Sequence, residues 1–138
     1  MSGTQYHLPV REAMTPEAIV MDGLTTVSDA LIIMRDRNIS SLVVERRNER
    51  DEYGLVLVAD IAREVVNSNR VPSRTHLYEV MVKPAPRLDA EMDVKYAIRL
   101  MHRLGLTHAL VVEGRRLIGI VTLRDLVVRY IDGPAAPG

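Results

Sequence analysis

One spacing in this chain invites chemistry. Thr122 and Asp125 stand three apart in LIGIVTLRDLV (117–127), where an apolar run meets charge and then turns apolar again. At the junction of a strand and a helix, such a Thr-x-x-Asp pair can act locally. The hydroxyl caps the helix and the carboxylate reaches back to a free amide. The same pair can act on a ligand, because the amides and positive dipole end of a helix start favour a phosphate. A carboxylate beside them can accept hydrogen bonds from two ribose hydroxyls. The two roles are compatible. A related corner is readable in GLVLVAD (54–60), where Asp60 is kept and Leu57 replaces the threonine. Leucine supplies no hydrogen bond, so a site on Leu57 and Asp60 is expected to be weaker, altered or empty.

Other chemistries have fewer residues to carry them. The 138-residue chain has no cysteine, which removes disulfides, thiolate catalysis and Cys-type zinc sites. His7, His76, His102 and His108 show no metal-ligand spacing, and neither paired catalytic carboxylates nor a Ser-His-Asp set can be assembled. The reading is therefore not an enzyme, with no metal and no required cofactor. Eighteen basic residues balance eighteen acidic ones, and Phe and Trp are absent, which argues against nucleic acid as a partner. No apolar run is long enough to span a membrane and the N-terminus lacks a signal-peptide core, so a soluble cytoplasmic protein is expected. Arg46, Arg47 and Arg50, mixed with Glu45, Glu49, Asp51 and Glu52, read as a solvated loop, as do Arg115 and Arg116.

The elements that must position Thr122 and Asp125 occur twice. Shifted along itself, VREAMTPEAIVMDGLTTVSDALIIMRDRNISSLVV falls on LYEVMVKPAPRLDAEMDVKYAIRLMHRLGLTHALV. Met14 meets Met81, Asp22 meets Asp89, and Met34 meets Met101. Val27, Ala30, Leu31 and Met34 form a helical stripe that Val94, Ala97, Ile98 and Met101 repeat. Asn38 and Gly105 follow as left-handed caps. β-Branched runs come next (40–45 and 107–113), then a turn that is long in the first copy and short in the second. A second stripe closes each copy: Val58, Ile61, Ala62, Val65, Val66 against Leu123, Leu126, Val127, Tyr130, Ile131. Each half reads β-α-β-β-α, at 10–67 and 77–132, with an N-terminal arm (1–9), a linker (68–76) and a C-terminal tail (133–138). The fold class is α/β (α+β). Neither half can bury both faces of its helices alone, so packing about a pseudo-twofold axis, with two like clefts, is expected.

Two such copies, each ending in Gly-h-h-x-x-x-Asp-h, resemble a tandem pair of cystathionine-β-synthase (CBS) domains, a Bateman module. The most telling pieces are GIVTLRD (119–125), AMTPEAIVMDGLTTVSDAL (13–31) and HALVVEGRRLIGIVT (108–122). The resemblance implies a sensor that binds an adenine nucleotide (AMP, ADP or ATP) or S-adenosylmethionine between the repeats, with the aspartate on the ribose and the Thr/Ser on phosphate or ribose. It implies a main cleft of Thr122 and Asp125 with Ile120, Ile19 and Val20 near the base, Ile39 and Ser40, and Thr107 and His108. His108 stands where the family often has a basic residue beside the phosphates, and a neutral strand-end histidine fits equally. The weaker cleft would use Asp60, Leu57, Ser41 and Pro86. Plain core packing also accounts for Ile19, Ile39 and Ile120.

With no fused domain in view, the resemblance implies a stand-alone module signalling to an unidentified regulated protein, and commonly a homodimer. The alternative is a structural, dimerising or protein-interaction module that binds no nucleotide.

Overall fold

The computed structural model describes residues 7–133. Its elements run β1 (Thr15–Pro16), β2 (Val20–Met21), α1 (Val27–Arg37), β3 (Ser41–Val44), β4 (Gly54–Leu57), α2 (Val58–Ile61), β5 (Arg87–Asp89), α3 (Val94–Leu104), β6 (His108–Glu113), β7 (Arg116–Thr122) and α4 (Leu123–Asp132). Each copy thus has the expected β-α-β-β-α order. The first six residues of the arm and all but Gly133 of the tail lie outside the described residues.

Two compact units form, and their boundaries cross those of the repeats. Ile19–Ala85 makes one, here the repeat-one unit; the chain up to Ala18 joins the chain from Pro86 onward in the other, the repeat-two unit. The repeat-one unit holds a three-stranded sheet, β2-β3-β4, with β2 parallel and β4 antiparallel to β3. The repeat-two unit holds β1-β7-β6-β5, with β5 parallel to β6 and β7 antiparallel to both β6 and β1. Where β1 lies on β7, the repeat-one unit has a bridge instead: Leu55 and Val82 exchange N–H···O bonds of 3.0 and 2.8 Å.

The crossing has a definite hydrogen-bond pattern. In the repeat-two unit, Val94 N–H donates to Leu8 O (2.8 Å) and Val10 N–H to Met92 O (2.9 Å). In the repeat-one unit, Val27 N–H donates to Thr75 O (2.8 Å) and Leu77 N–H to Thr25 O (2.9 Å). Leu8 and Val10 are buried in the core of the repeat-two unit with Leu88, Val94 and Leu126. Leu77 and Val80 are buried in that of the repeat-one unit with Val27, Val56 and Val65. Each sheet is closed by the segment leading into the other copy. The linker stretch accordingly folds into the repeat-one unit, where Thr75 is buried and its hydroxyl donates to Val71 O at 2.8 Å.

Local signals set the central helices. Thr26 Oγ1 accepts from Asp29 N–H (3.2 Å) and Asp93 Oδ1 from Lys95 N–H (2.9 Å), each capping a helix start. Asn38 (φ 52°) and Gly105 (φ 67°) end the two helices in the left-handed conformation. Val27, Ala30 and Met34 are buried on α1, as are Val94, Ala97 and Met101 on α3, whereas Leu31 is 37% exposed. The closing stripes are wider than the faces they bury. Ile61, Val65 and Leu126 are buried, while Val66 (67%) and Ile131 (76%) are mostly exposed. After Ile61 the first closing helix continues as a π-helical turn, Ala62–Val66, whereas α4 stays regular to Asp132.

Gly54 and Gly119 hold equivalent places because a methionine packs on each. A Cβ on Gly54 would sit 2.5 Å from Met81 Sδ, and one on Gly119 would sit 2.6 Å from Met14 Sδ and 2.7 Å from Thr15 O. The long first-copy turn is largely exposed, as expected of a solvated loop, and is also ordered around Asp51. The Asp51 carboxylate accepts from Arg47 (3.0 Å) and Lys83 (2.7 Å), and the Arg46 guanidinium lies 4.8 Å from the Tyr53 ring centre. Composition alone could not show that one carboxylate gathers two cations. Among the described residues, no helix is long and apolar enough to cross a membrane.

Candidate functional site

The corner at Thr122 is built by the end of β7. Thr122 has extended backbone (φ −106°, ψ 156°) and directly precedes the first turn of α4. Its hydroxyl accepts from Asp125 N–H at 3.0 Å, so half of the expected capping pair is in place. The reverse half is missing. Among the described residues, no hydrogen bond or ion pair to the Asp125 carboxylate is present, and the side chain is only half-buried. Strand pairing adds the neighbours. His108 lies directly across from Thr122, Thr107 O accepts from Leu123 N–H (2.9 Å), and Thr107 Oγ1 stands 2.9 Å from His108 Nδ1. Ile120 pairs with Leu110, whose N–H donates to Pro86 O at 2.8 Å.

The equivalent corner of the repeat-one unit repeats the backbone with different chemistry. Leu57 (φ −106°, ψ 155°) is paired with Ser41, and Ser40 O accepts from Val58 N–H at 3.0 Å. Ile19 O accepts from Val43 N–H at 2.9 Å, Val20 pairs with Val43, and Ile39 packs half-buried on the core. Asp60 is 5% exposed. Its carboxylate accepts from Leu57 N–H (2.8 Å) and from the Arg63 guanidinium (2.8 Å), and donating to Asp60 raises the Arg63 pKa above its ordinary value. Asp60 therefore has both a backbone and a cationic partner.

The expected site residues thus fall into two groups. Thr107, His108, Ile120, Thr122, Asp125 and Pro86 belong to the repeat-two unit, while Ile19, Val20, Ile39, Ser40, Ser41, Leu57 and Asp60 belong to the repeat-one unit. Sequence reasoning missed Arg63. Its signal was available, since Asp60 and Arg63 stand at i and i+3 on a helical pattern. The residue equivalent to Arg63 in repeat two is Val128, which offers Asp125 no charge. The two corners thus differ by a hydroxyl against an apolar side chain at the cap and by an apolar side chain against a guanidinium one turn on.

Comparison with known proteins shows the family of the chain. An uncharacterized protein of Methanopyrus kandleri is 28% identical over 86% of this chain, and the match covers 60% of that protein's length. A Thermofilum pendens relative is 24% identical, and the chain spans 46% of its length. Among solved structures, the hexameric CBS-CP12 protein from bloom-forming cyanobacteria is 30% identical with a TM-score of 0.87, over 96% of this chain and 75% of that one. The CBS domain of the bacterial CNNM/CorC family Mg2+ transporter, solved in complex with ATP, shares the fold. Its TM-score is 0.71 at 24% identity, over 86% of this chain and 84% of that one. The CBS domain family model matches residues 10–67 and again 77–132, so the chain belongs to the CBS domain family and carries that domain twice.

Proposed function

We propose that this CBS pair is a regulatory, ligand-sensing module that binds an adenine nucleotide or another adenosyl compound at the Thr122–Asp125 corner. The observation that carries the reading is the carboxylate of Asp125, which has no partner among the described residues and stands at the start of a regular helix. Vicinal ribose hydroxyls would donate to that carboxylate. The amides of the first turn of α4 and the His108 ring would face phosphate oxygens. The Leu57–Asp60 corner binds more weakly or not at all, because Arg63 and the Leu57 amide already hold Asp60. The ATP bound by the transporter CBS domain supports the ligand class. Binding signals to a protein partner by favouring one packing over another, and only by as much as the ligand prefers it.

Thermal unfolding against AMP, ADP, ATP, S-adenosylmethionine, GTP and NAD, with Asp125→Ala alongside, tests the reading. A ligand at a hundred times its dissociation constant stabilises by roughly 2.7 kcal/mol. Adenosyl compounds should raise the midpoint of the wild type and leave Asp125→Ala unmoved. No shift with any of them removes the nucleotide reading.

A second reading, a dimerising or protein-interaction module, is favoured by α4 itself. Val128, Tyr130 and Ile131 are 46%, 49% and 76% exposed on one short stretch, surface that a partner could cover. Sedimentation of wild type against Ile131→Glu distinguishes it: the reading requires an assembly that the charge disrupts.

A further inference from the structure

The long turn of repeat one does more than connect two strands. At the end of β3 remote from Ser41, about 10 Å along the strand, it walls a cavity of about 800 Å³ that lies wholly within the repeat-one unit. That volume lies in the range of small-molecule sites. Leu24, Val44, Tyr78 and Met81 form an apolar side, with Leu24 70% and Tyr78 48% exposed. The polar side carries Arg46, Arg47 and Lys83 together with Asp22 and Glu45.

On the polar side most of the charged groups already have partners. Asp22 Oδ1 accepts from Leu24 N–H (2.7 Å), and Glu45 Oε1 accepts from Arg46 N–H (2.8 Å). Arg47 and Lys83 both donate to Asp51. Arg46 differs. Its guanidinium is fixed over Tyr53, yet its Nε–H is buried with no acceptor among the described residues. That N–H is closed to the cavity as well, so what a ligand can meet is the rest of the guanidinium, which has no anionic partner among the described residues; its complement is a planar acceptor with negative charge. One unmet cation in a wall that also carries two carboxylates suits a monoanion better than a phosphate dianion. The corresponding place in repeat two is built otherwise. There β6 and β7 are joined by Gly114 and Arg115 alone, and the counterpart of Tyr78 is Arg11, which ion-pairs with Glu91 and Glu113.

We propose that this cavity is a second ligand site, separate from the Thr122–Asp125 corner. It takes a small carboxylate with a flat apolar body, the carboxylate on Arg46 and the body against Tyr78 and Leu24. Benzoate and 3-phenylpropionate are suitable probes, with benzamide as the neutral control and inorganic phosphate as the dianion, followed by backbone amide resonances of the full chain. Benzoate or phenylpropionate, at up to about 1 mM, should move the resonances of Leu24, Glu45, Arg46, Arg47 and Tyr78, while benzamide and phosphate leave them in place. Arg46→Met, which keeps the apolar stem, should weaken the response by about tenfold with the remaining spectrum unchanged. The proposal is overturned if neither carboxylate moves these resonances, if benzamide or phosphate moves them equally, or if Arg46→Met binds as the wild type does. The comparison of benzoate with benzamide needs no variant, so a misfolded Arg46→Met leaves the test decisive. AMP added to the same sample reports separately, at the resonances of Thr122 and Asp125.

Discussion

The corners that open α2 and α4 have the same backbone and opposite uses for an aspartate. At Leu57 the carboxylate of Asp60 turns inward, taking the strand-end amide and a guanidinium. At Thr122 a hydroxyl does the capping, and the carboxylate of Asp125 has no partner among the described residues. Keeping the aspartate in both repeats therefore says little by itself. What decides its role is whether another side chain has taken over the cap and whether a cation stands one turn away.

That contrast can be put to the test by substitution. The largest effect tests the frame that holds the first corner. Leu77 is fully buried in the repeat-one unit although it belongs to the lead-in of repeat two. Leu77→Ala should lose about 3 kcal/mol in denaturant unfolding, and a loss below about 1 kcal/mol would mean that the segment is not integral to that core. Next comes conversion of one corner into the other. The double change Leu57→Thr with Arg63→Val should release Asp60, and calorimetry should then detect an additional site for whichever adenosyl compound the wild type binds. At a hundredfold excess over its dissociation constant that site would add roughly 2.7 kcal/mol of stability. Unchanged stoichiometry would mean that more than these side chains separates the corners.

The glycines give a smaller and directional difference. A methyl on Gly119 meets the backbone oxygen of Thr15 as well as Met14, whereas at Gly54 the one contact under 3.0 Å is with the flexible Met81 side chain, Val44 Cβ following at 3.2 Å. Gly119→Ala should cost about 2 kcal/mol and Gly54→Ala less, as overpacking usually does. Equal losses would show that Met81 has no room to yield. Thr122→Ala removes a cap and should cost about 1 kcal/mol without ligand.

The last effect is one of slope. Hydrogen bonds from Arg47 and then Lys83 hold the Asp51 carboxyl well below the usual carboxylate range. With the folded value depressed, its stabilisation is fully present above the ordinary aspartate pKa of about 3.9 and is lost as pH falls below that towards the folded value. Asp51→Asn should flatten that acid limb of the unfolding curve, and an unaltered limb would show that the contacts around Asp51 are not coupled to folding.

Much of this was readable from residue types. The stripes on α1 and α3, the left-handed caps at Asn38 and Gly105, and the order of elements along each copy follow local periodicity and turn chemistry, which a sequence carries explicitly. The threonine-to-leucine difference was also plain. Arg63 was visible but went unused, because an exposed i,i+3 pair normally contributes little and its weight here comes from the burial of Asp60. The exchange of lead-in segments was not legible, since the repeat pattern aligns Leu77 with Val10 without saying which sheet either one covers. The turn around Asp51 was hidden for a similar reason: Lys83, one of its partners, lies far along the chain. The exposed part of the closing stripes misled because an apolar period marks a face and not what covers it.

The traded lead-ins have a bearing on how such a chain can be divided. A single repeat cut at its own boundaries keeps a segment whose place is in the other unit and lacks the one that fills its own core. It is an unfinished object, complementary to another of its kind. Two severed repeats would have to find each other in solution before either could close, and their folding would depend on concentration. Joined in one polypeptide, the same encounter proceeds at the effective concentration of a tether. The connection between the repeats is thus an assembly device, and proteolysis within residues 68–76 would leave two pieces that hold together by interlocked strands rather than by a covalent link.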